Sequence, residues 1–263
     1  MKPFPMLTHL RLGVSFGTFY LPSLSSRFLG GPSSGLQELN LNGVSPLALP
    51  SILSSTSDLV DLHLCNLPNT VTENVSPEVM VMGLVVMTKL KSLTIEFKHY
   101  HMHPPPAQDL RAQAILPTLT QFQFRGPCRY LEDLVAQLDT PQLFDFNVII
   151  TPSYPVVQQF SQLFQFIDCA KYLKLSQFRH AYAEIHDFHS FIRFDSAQTR
   201  QHPTYLTLGD SEVDFHNELR PMQALLSQAS TIISSVRHLS ITRLGRKWKR
   251  YGHQETYLFL AVA

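Results

Sequence analysis

The chain has 263 residues, 44% of them hydrophobic and 16% charged; an average soluble domain is about 25% charged, so this composition excludes a polar disordered tail and implies a sizeable core. A formal charge of +1 provides no overall field to draw the molecule to nucleic acid or to a membrane. Cys65, Cys128 and Cys169 are odd in number and far apart, which argues against a disulfide framework or a zinc knuckle and fits a reducing compartment.

From the N-terminus, MKPFPMLTHLRLG lacks the uninterrupted apolar stretch of a secretion signal before Arg11. Nowhere does an apolar run approach the roughly 18 residues that suggest a membrane-crossing helix. The expected location is therefore intracellular, in the cytoplasm, the nucleus or both. The triplet L-x-x-L-x-L then appears at Leu7-Leu10-Leu12, Leu36-Leu39-Leu41, Leu59-Leu62-Leu64 and Leu90-Leu93-Ile95. Looser copies follow at Leu119-Phe122-Phe124, Leu143-Phe146-Val148, Ala170-Leu173-Leu175, Pro203-Leu206-Leu208 and Val236-Leu239-Ile241. Successive middle positions lie 23 to 33 residues apart, close to the roughly 20–29 residues of a leucine-rich repeat. On a strand, alternate residues face opposite sides, so the last two apolar positions of each triplet enter one core. A single such strand cannot bury that face; stacked copies pair into a parallel sheet and share the core.

Between the triplets the pattern predicts return helices. Pro77 to Thr88 follows Ser76, which suits an N-cap ahead of proline at the first helical position. Tyr130 to Leu138 places Leu131, Leu134, Val135 and Leu138 at helical spacing. Residues 155–169 and 217–235 read the same way. The expected fold class is α/β: an irregular leucine-rich-repeat solenoid, or horseshoe, with a parallel sheet on the concave face and short helices outside. It spans residues 1–242, with 243–263 as a basic, atypical tail. A doubly wound sheet also alternates strand and helix, but the Gly-rich phosphate loop is missing. Regular repeats carry Asn or Cys three residues after the third apolar position; here Val44, Leu67, Lys98 and Pro127 stand there, so no asparagine ladder is expected. Residues 98–116, with Pro104-Pro105-Pro106, read as a long insertion.

The stretches LTHLRLGVSFG, LQELNLNGVSPLALPSILSSTSDLVDLHLCNLPNT, MTKLKSLTIEF, ILPTLTQFQFRG, YLEDLVAQLDTPQL and SSVRHLSI resemble the leucine-rich-repeat region of the F-box-like protein families of mushroom-forming fungi. The resemblance implies a substrate-selecting part of a cullin-type ubiquitin ligase. The F-box itself is not found before Leu7, so a ligase adaptor is expected only if an F-box is supplied elsewhere. After Thr242 the pattern dissolves into RLGRKWKRYGHQETYLFLAVA, and a truncated, non-functional gene fragment is the alternative reading.

Chemical motifs are sparse. His99, His101 and His103 would share one face of an extended chain, within reach of one zinc ion; a histidine-rich exposed loop is the plainer account, and no cofactor is expected. No G-x-S-x-G elbow, Walker loop, G-x-G-x-x-G or EF-hand loop occurs, so the chain does not read as an enzyme. Arg243, Arg246, Lys247, Lys249 and Arg250, with Trp248 and Tyr251, fit a solvated tail better than a phosphate-binding or nuclear-import segment.

The expected binding surface is the set of residues that alternates with the inward apolar positions. Triplet by triplet these are His9 and Arg11, Glu38 and Asn40, Asp61 and His63, Ser92 and Thr94, Gln121 and Gln123, and Asp145 and Asn147. Tyr172 and Lys174, Tyr205 and Thr207, and His238 and Ser240 complete the series. This polar, mixed-charge set suits an unidentified protein partner better than nucleic acid, which calls for a basic stripe, or a lipid, which calls for an apolar groove.

Overall fold

The computed structural model describes residues 7–13, 35–43, 49–67, 75–97, 113–151, 160–173, 180–186, 190–195, 205–210, 238–244 and 256–259. In chain order its elements are β1 (His9–Gly13), β2 (Glu38–Asn42), α1 (Leu49–Ser54), β3 (Asp61–Leu67), α2 (Pro77–Leu84), β4 (Ser92–Phe97) and β5 (Ala114–Ile115). There follow β6 (Gln121–Pro127), α3 (Cys128–Val135), β7 (Leu138–Asp139), β8 (Asp145–Thr151) and α4 (Ser161–Cys169). The last are β9 (His180–His186), β10 (Ser190–Asp195), β11 (Tyr205–Asp210), β12 (His238–Leu244) and β13 (Thr256–Phe259).

The architecture is α/β. Strands β1, β2, β3, β4, β6 and β8 lie side by side in chain order, all parallel. Their register follows the triplets: Leu10, Leu39, Leu62, Leu93, Phe122 and Phe146 are successive partners. One backbone motif joins each strand start to the next. The carbonyl of Thr8 accepts the N–H groups of Gln37 and Glu38, and those of Gln37, Val60, Lys91 and Thr120 each accept two in the same way. All three apolar positions of the triplets from β2 to β8 are buried; in β1, Leu7, Leu10 and Leu12 are partly so.

Helices cover the apolar face, α1 packing against α2, α2 against α3 and α3 against α4. Helix α2 begins at the expected cap, where Ser76 Oγ accepts the Val79 N–H at 3.4 Å ahead of Pro77. Gly83 permits the close approach of α1: a Cβ there would stand 2.6 Å from Leu53 Cδ1. Helix α3 inserts Tyr130 between Phe97 (4.7 Å, edge-on) and Phe124 (6.2 Å, stacked). From α4, Phe166 reaches Phe122 and Phe146. Helix α1 escaped the helical pattern because six residues are too short to establish a period. Residues 155–159 and the helix expected at 217–235 lie outside the described residues.

The second half departs from the expected succession. Residues 170–172 form a bend after α4, so Tyr172 is not on a strand; Lys174 lies outside the described residues. The parallel neighbour of β8 is β11, the third described strand after the bend, which carries the next triplet in the series. Strands β9 and β10 pair antiparallel, β10 pairs antiparallel with β11, and β12 joins β9 in parallel. The chain thus passes beyond β8 and works back toward it. The triplet search missed β9 and β10 because neither HAYAEIH nor SFIRFD carries L-x-x-L-x-L, although the first alternates as strands do. Strand β12 runs to Leu244, and Thr256–Phe259 pairs antiparallel with it, so part of the region read as a tail joins the sheet.

The ends of β2 and β3 also differ from the repeat template. Val44 and Lys98 lie outside the described residues, and Leu67 is buried. Two residues not singled out by the repeat template, Asn42 at the end of β2 and Asn66 near the end of β3, are bonded between strands: Asn66 Nδ2 donates to Asn42 Oδ1 at 2.8 Å. Asn66 adopts a left-handed φ of 52°, a conformation that Asn tolerates better than most residues. It does so where the β3–β4 register slips between Leu64 and Leu67.

Candidate functional site

On the face opposite the helices, strand pairing brings the alternating polar residues into rows that cross the sheet. The first row runs His9, Glu38, Asp61, Ser92, Gln121 and Asp145; the second runs Arg11, Asn40, His63, Thr94, Gln123 and Asn147. Tyr205 and Thr207 extend both rows by backbone register. Every residue of these two rows from β1 to β8 is half-buried or exposed, in contrast to the buried positions between them from β2 onward. A period of two on parallel strands in fixed register is sufficient to produce such rows.

The expected set therefore comes together from β1 to β8 and divides beyond it. Tyr172 stands exposed in the bend, with the Lys171 ammonium 5.1 Å from its ring centre. His238 and Ser240 pair with His180 and Tyr182 rather than following Tyr205 and Thr207. His99, His101 and His103 lie outside the described residues. Among the described residues, no three His, Cys, Asp or Glu side chains are grouped as metal ligands.

The alternation continues two residues beyond the expected pairs, which the triplet template does not cover. Gly13, Asn42 and Cys65 are partners, and Glu96 pairs with Arg125. Arg125 Nη1 lies 3.3 Å from Glu96 Oε1. Burial pushes the Cys65 thiol above its ordinary pKa, nearby Glu96 adds to the rise and Arg11 opposes it. Burial likewise raises the Asp145 carboxyl, against the pull of Arg193 on β10. Arg193 was missed because it sits on a strand outside the template. At the first edge, His9 Nε2 lies 3.7 Å from Glu38 Oε2. Asn147 Oδ1 is buried without a hydrogen-bond partner.

A cleft of about 330 Å³ lies on the helix side, between the β5–β7 pair, the end of α3 and α4. Gln113, Gln162, Gln165 and Thr140 supply polar groups, Phe166 and Val135 apolar ones, and Asp139 is the one ionisable carboxylate lining it. Among the described residues no helix is long and apolar enough to cross a membrane. In comparisons with known proteins, the chain matches no family model, no curated protein and no solved structure.

Proposed function

We propose that the chain is a leucine-rich-repeat-type solenoid that recognises another protein through the polar face of its parallel sheet. The observation that carries this reading is the alignment of polar side chains into continuous rows over six parallel strands, while the intervening positions are committed to the core. Such a face offers many donors and acceptors on rigid backbone, which lowers the ordering cost of binding. Its mixed charge suits a protein surface rather than a polyanion. The F-box-like resemblance extends the proposal: the protein recognised is a substrate for ubiquitin transfer when an F-box is supplied by another subunit or by a longer product.

Affinity purification of the tagged chain from its own organism, with mass spectrometry of the eluate, tests the reading. A specific partner is expected, lost in the His63→Ala/Gln121→Ala/Gln123→Ala variant while its thermal melting stays unchanged. Co-purified ligase adaptor and cullin subunits would support the ligase extension. A partner retained by that variant but lost on Met82→Ser and Ile115→Ser, on the helix side, would overturn the choice of face. An eluate containing only chaperones would overturn the reading as a whole.

A further inference from the structure

We infer that the partner presents a basic, extended segment that lies across strands β2 to β8 along the first polar row. The inference rests on the reading of this face as a protein-binding surface and adds the chemistry of what binds there. From β2 to β8 the row holds Glu38, Asp61, Ser92, Gln121 and Asp145, with three carboxylates and no lysine or arginine.

The carboxylates of the face are not equally compensated. Glu96 has Arg125 at 3.3 Å, and Asp145 feels the positive charge of Arg193. Glu38 and Asp61 are direct partners on adjacent strands, an arrangement in which like charges repel. The neighbour of Glu38 is an imidazole at 3.7 Å, and Asp61 forms no ion pair among the described residues. Arg11 stands in the second row on the edge strand and makes no ion pair with either carboxylate. Glu96 is thus paired and Asp145 only partly opposed, while Glu38 and Asp61 on β2 and β3 have no lysine or arginine partner among the described residues. A guanidinium or ammonium group brought between Glu38 and Asp61 removes that repulsion.

Geometry narrows the occupant. Neighbouring strands lie about 4.8 Å apart, so Asp145, three steps from Asp61, stands about 14 Å beyond it along the row. An extended chain advances about 3.3 Å per residue, so basic side chains four or five residues apart reach both ends. Ser92 and Gln121, between them, can hydrogen-bond the backbone of such a segment. The sign of the row opposes nucleic acid and anionic lipid, both of which bring phosphate.

Fluorescence anisotropy with a labelled synthetic peptide, Arg-Arg-Ser-Gly-Ser-Arg-Arg, tests the inference on the full chain, with the peptide's glutamine counterpart as control. Saturable binding of the arginine peptide alone is expected, about tenfold weaker in Glu38→Gln/Asp61→Asn. Glu96→Gln, whose carboxylate is already paired, should leave the affinity unchanged. No binding, equal binding to the double variant, or stronger binding of single-stranded DNA would overturn it. A captured cellular partner that survives Glu38→Gln/Asp61→Asn but is lost with Gln121→Ala/Gln123→Ala would remove the basic segment and leave the protein-binding reading standing.

Discussion

Tyr130 shows how this fold uses one residue for packing at the expense of its polar group. Its ring is fully buried between Phe97 and Phe124, but its hydroxyl has no hydrogen-bond partner. Burial holds the phenol far above its ordinary pKa, and the charge of Glu78 adds to the rise. An unsatisfied buried hydroxyl costs about 1–3 kcal/mol, whereas the aromatic contacts survive its removal. Tyr130→Phe is therefore expected to leave the urea midpoint unchanged or raised. A loss of more than about 1 kcal/mol would mean that the hydroxyl has a structural role. Spacing placed Tyr130 at the start of a helix but outside its apolar stripe, and its lack of a hydrogen-bond partner left no trace, since that depends on what α2 brings against it.

At the scale of elements, Glu132 ties consecutive return helices together. It sits on α3, and its carboxylate accepts the Gln162 and Leu163 N–H groups in the first turn of α4, each at 2.9 Å. Phe160, at the cap position itself, supplies no side-chain bond. Removing this cap from a neighbouring helix should cost about 1–2 kcal/mol, the magnitude of an ordinary N-cap. Glu132→Ala should lower the denaturation midpoint accordingly, with Glu132→Gln recovering part of the loss; an unchanged midpoint would remove the role.

Six parallel strands and the start of α2 were legible because each depends on local spacing: L-x-x-L-x-L for the strands, Ser76-Pro77 for the helix. The cap by Glu132 joins residues 30 apart and leaves no local trace. Nor does the β9–β10 hairpin announce its place, because its strands are ordered by pairing partners rather than by a repeat. The Glu96–Arg125 pair lay within reach of the same alternation, but the template stopped at Leu12, Leu41, Leu64, Ile95 and Phe124.

For the molecule as a whole, three partly buried carboxyls set the expected response to pH. Burial raises Glu132, Asp133 and Asp145, with backbone N–H groups, Arg129 and Arg193 respectively opposing the rise. A carboxyl whose pKa is higher folded than unfolded binds more protons in the folded state between those two values. Its stabilising contribution is present below the ordinary value, near pH 4, and is lost as pH rises through the folded one. The urea midpoint of the wild-type chain should therefore fall over this range more steeply than that of Glu132→Gln/Asp133→Asn/Asp145→Asn. Equal slopes would contradict the burial of these groups.

The two faces of the sheet give the molecule its division of labour: one holds the core and its helices, the other keeps aligned polar rows available. Carbodiimide footprinting of the complex with its captured partner tests that claim most directly. The account predicts that Glu38 and Asp61, on the polar face, lose labelling on binding, while exposed Asp168 on α4 keeps it. Protection of Asp168 with Glu38 and Asp61 labelled as in the free chain would contradict it, and would move recognition to the helices.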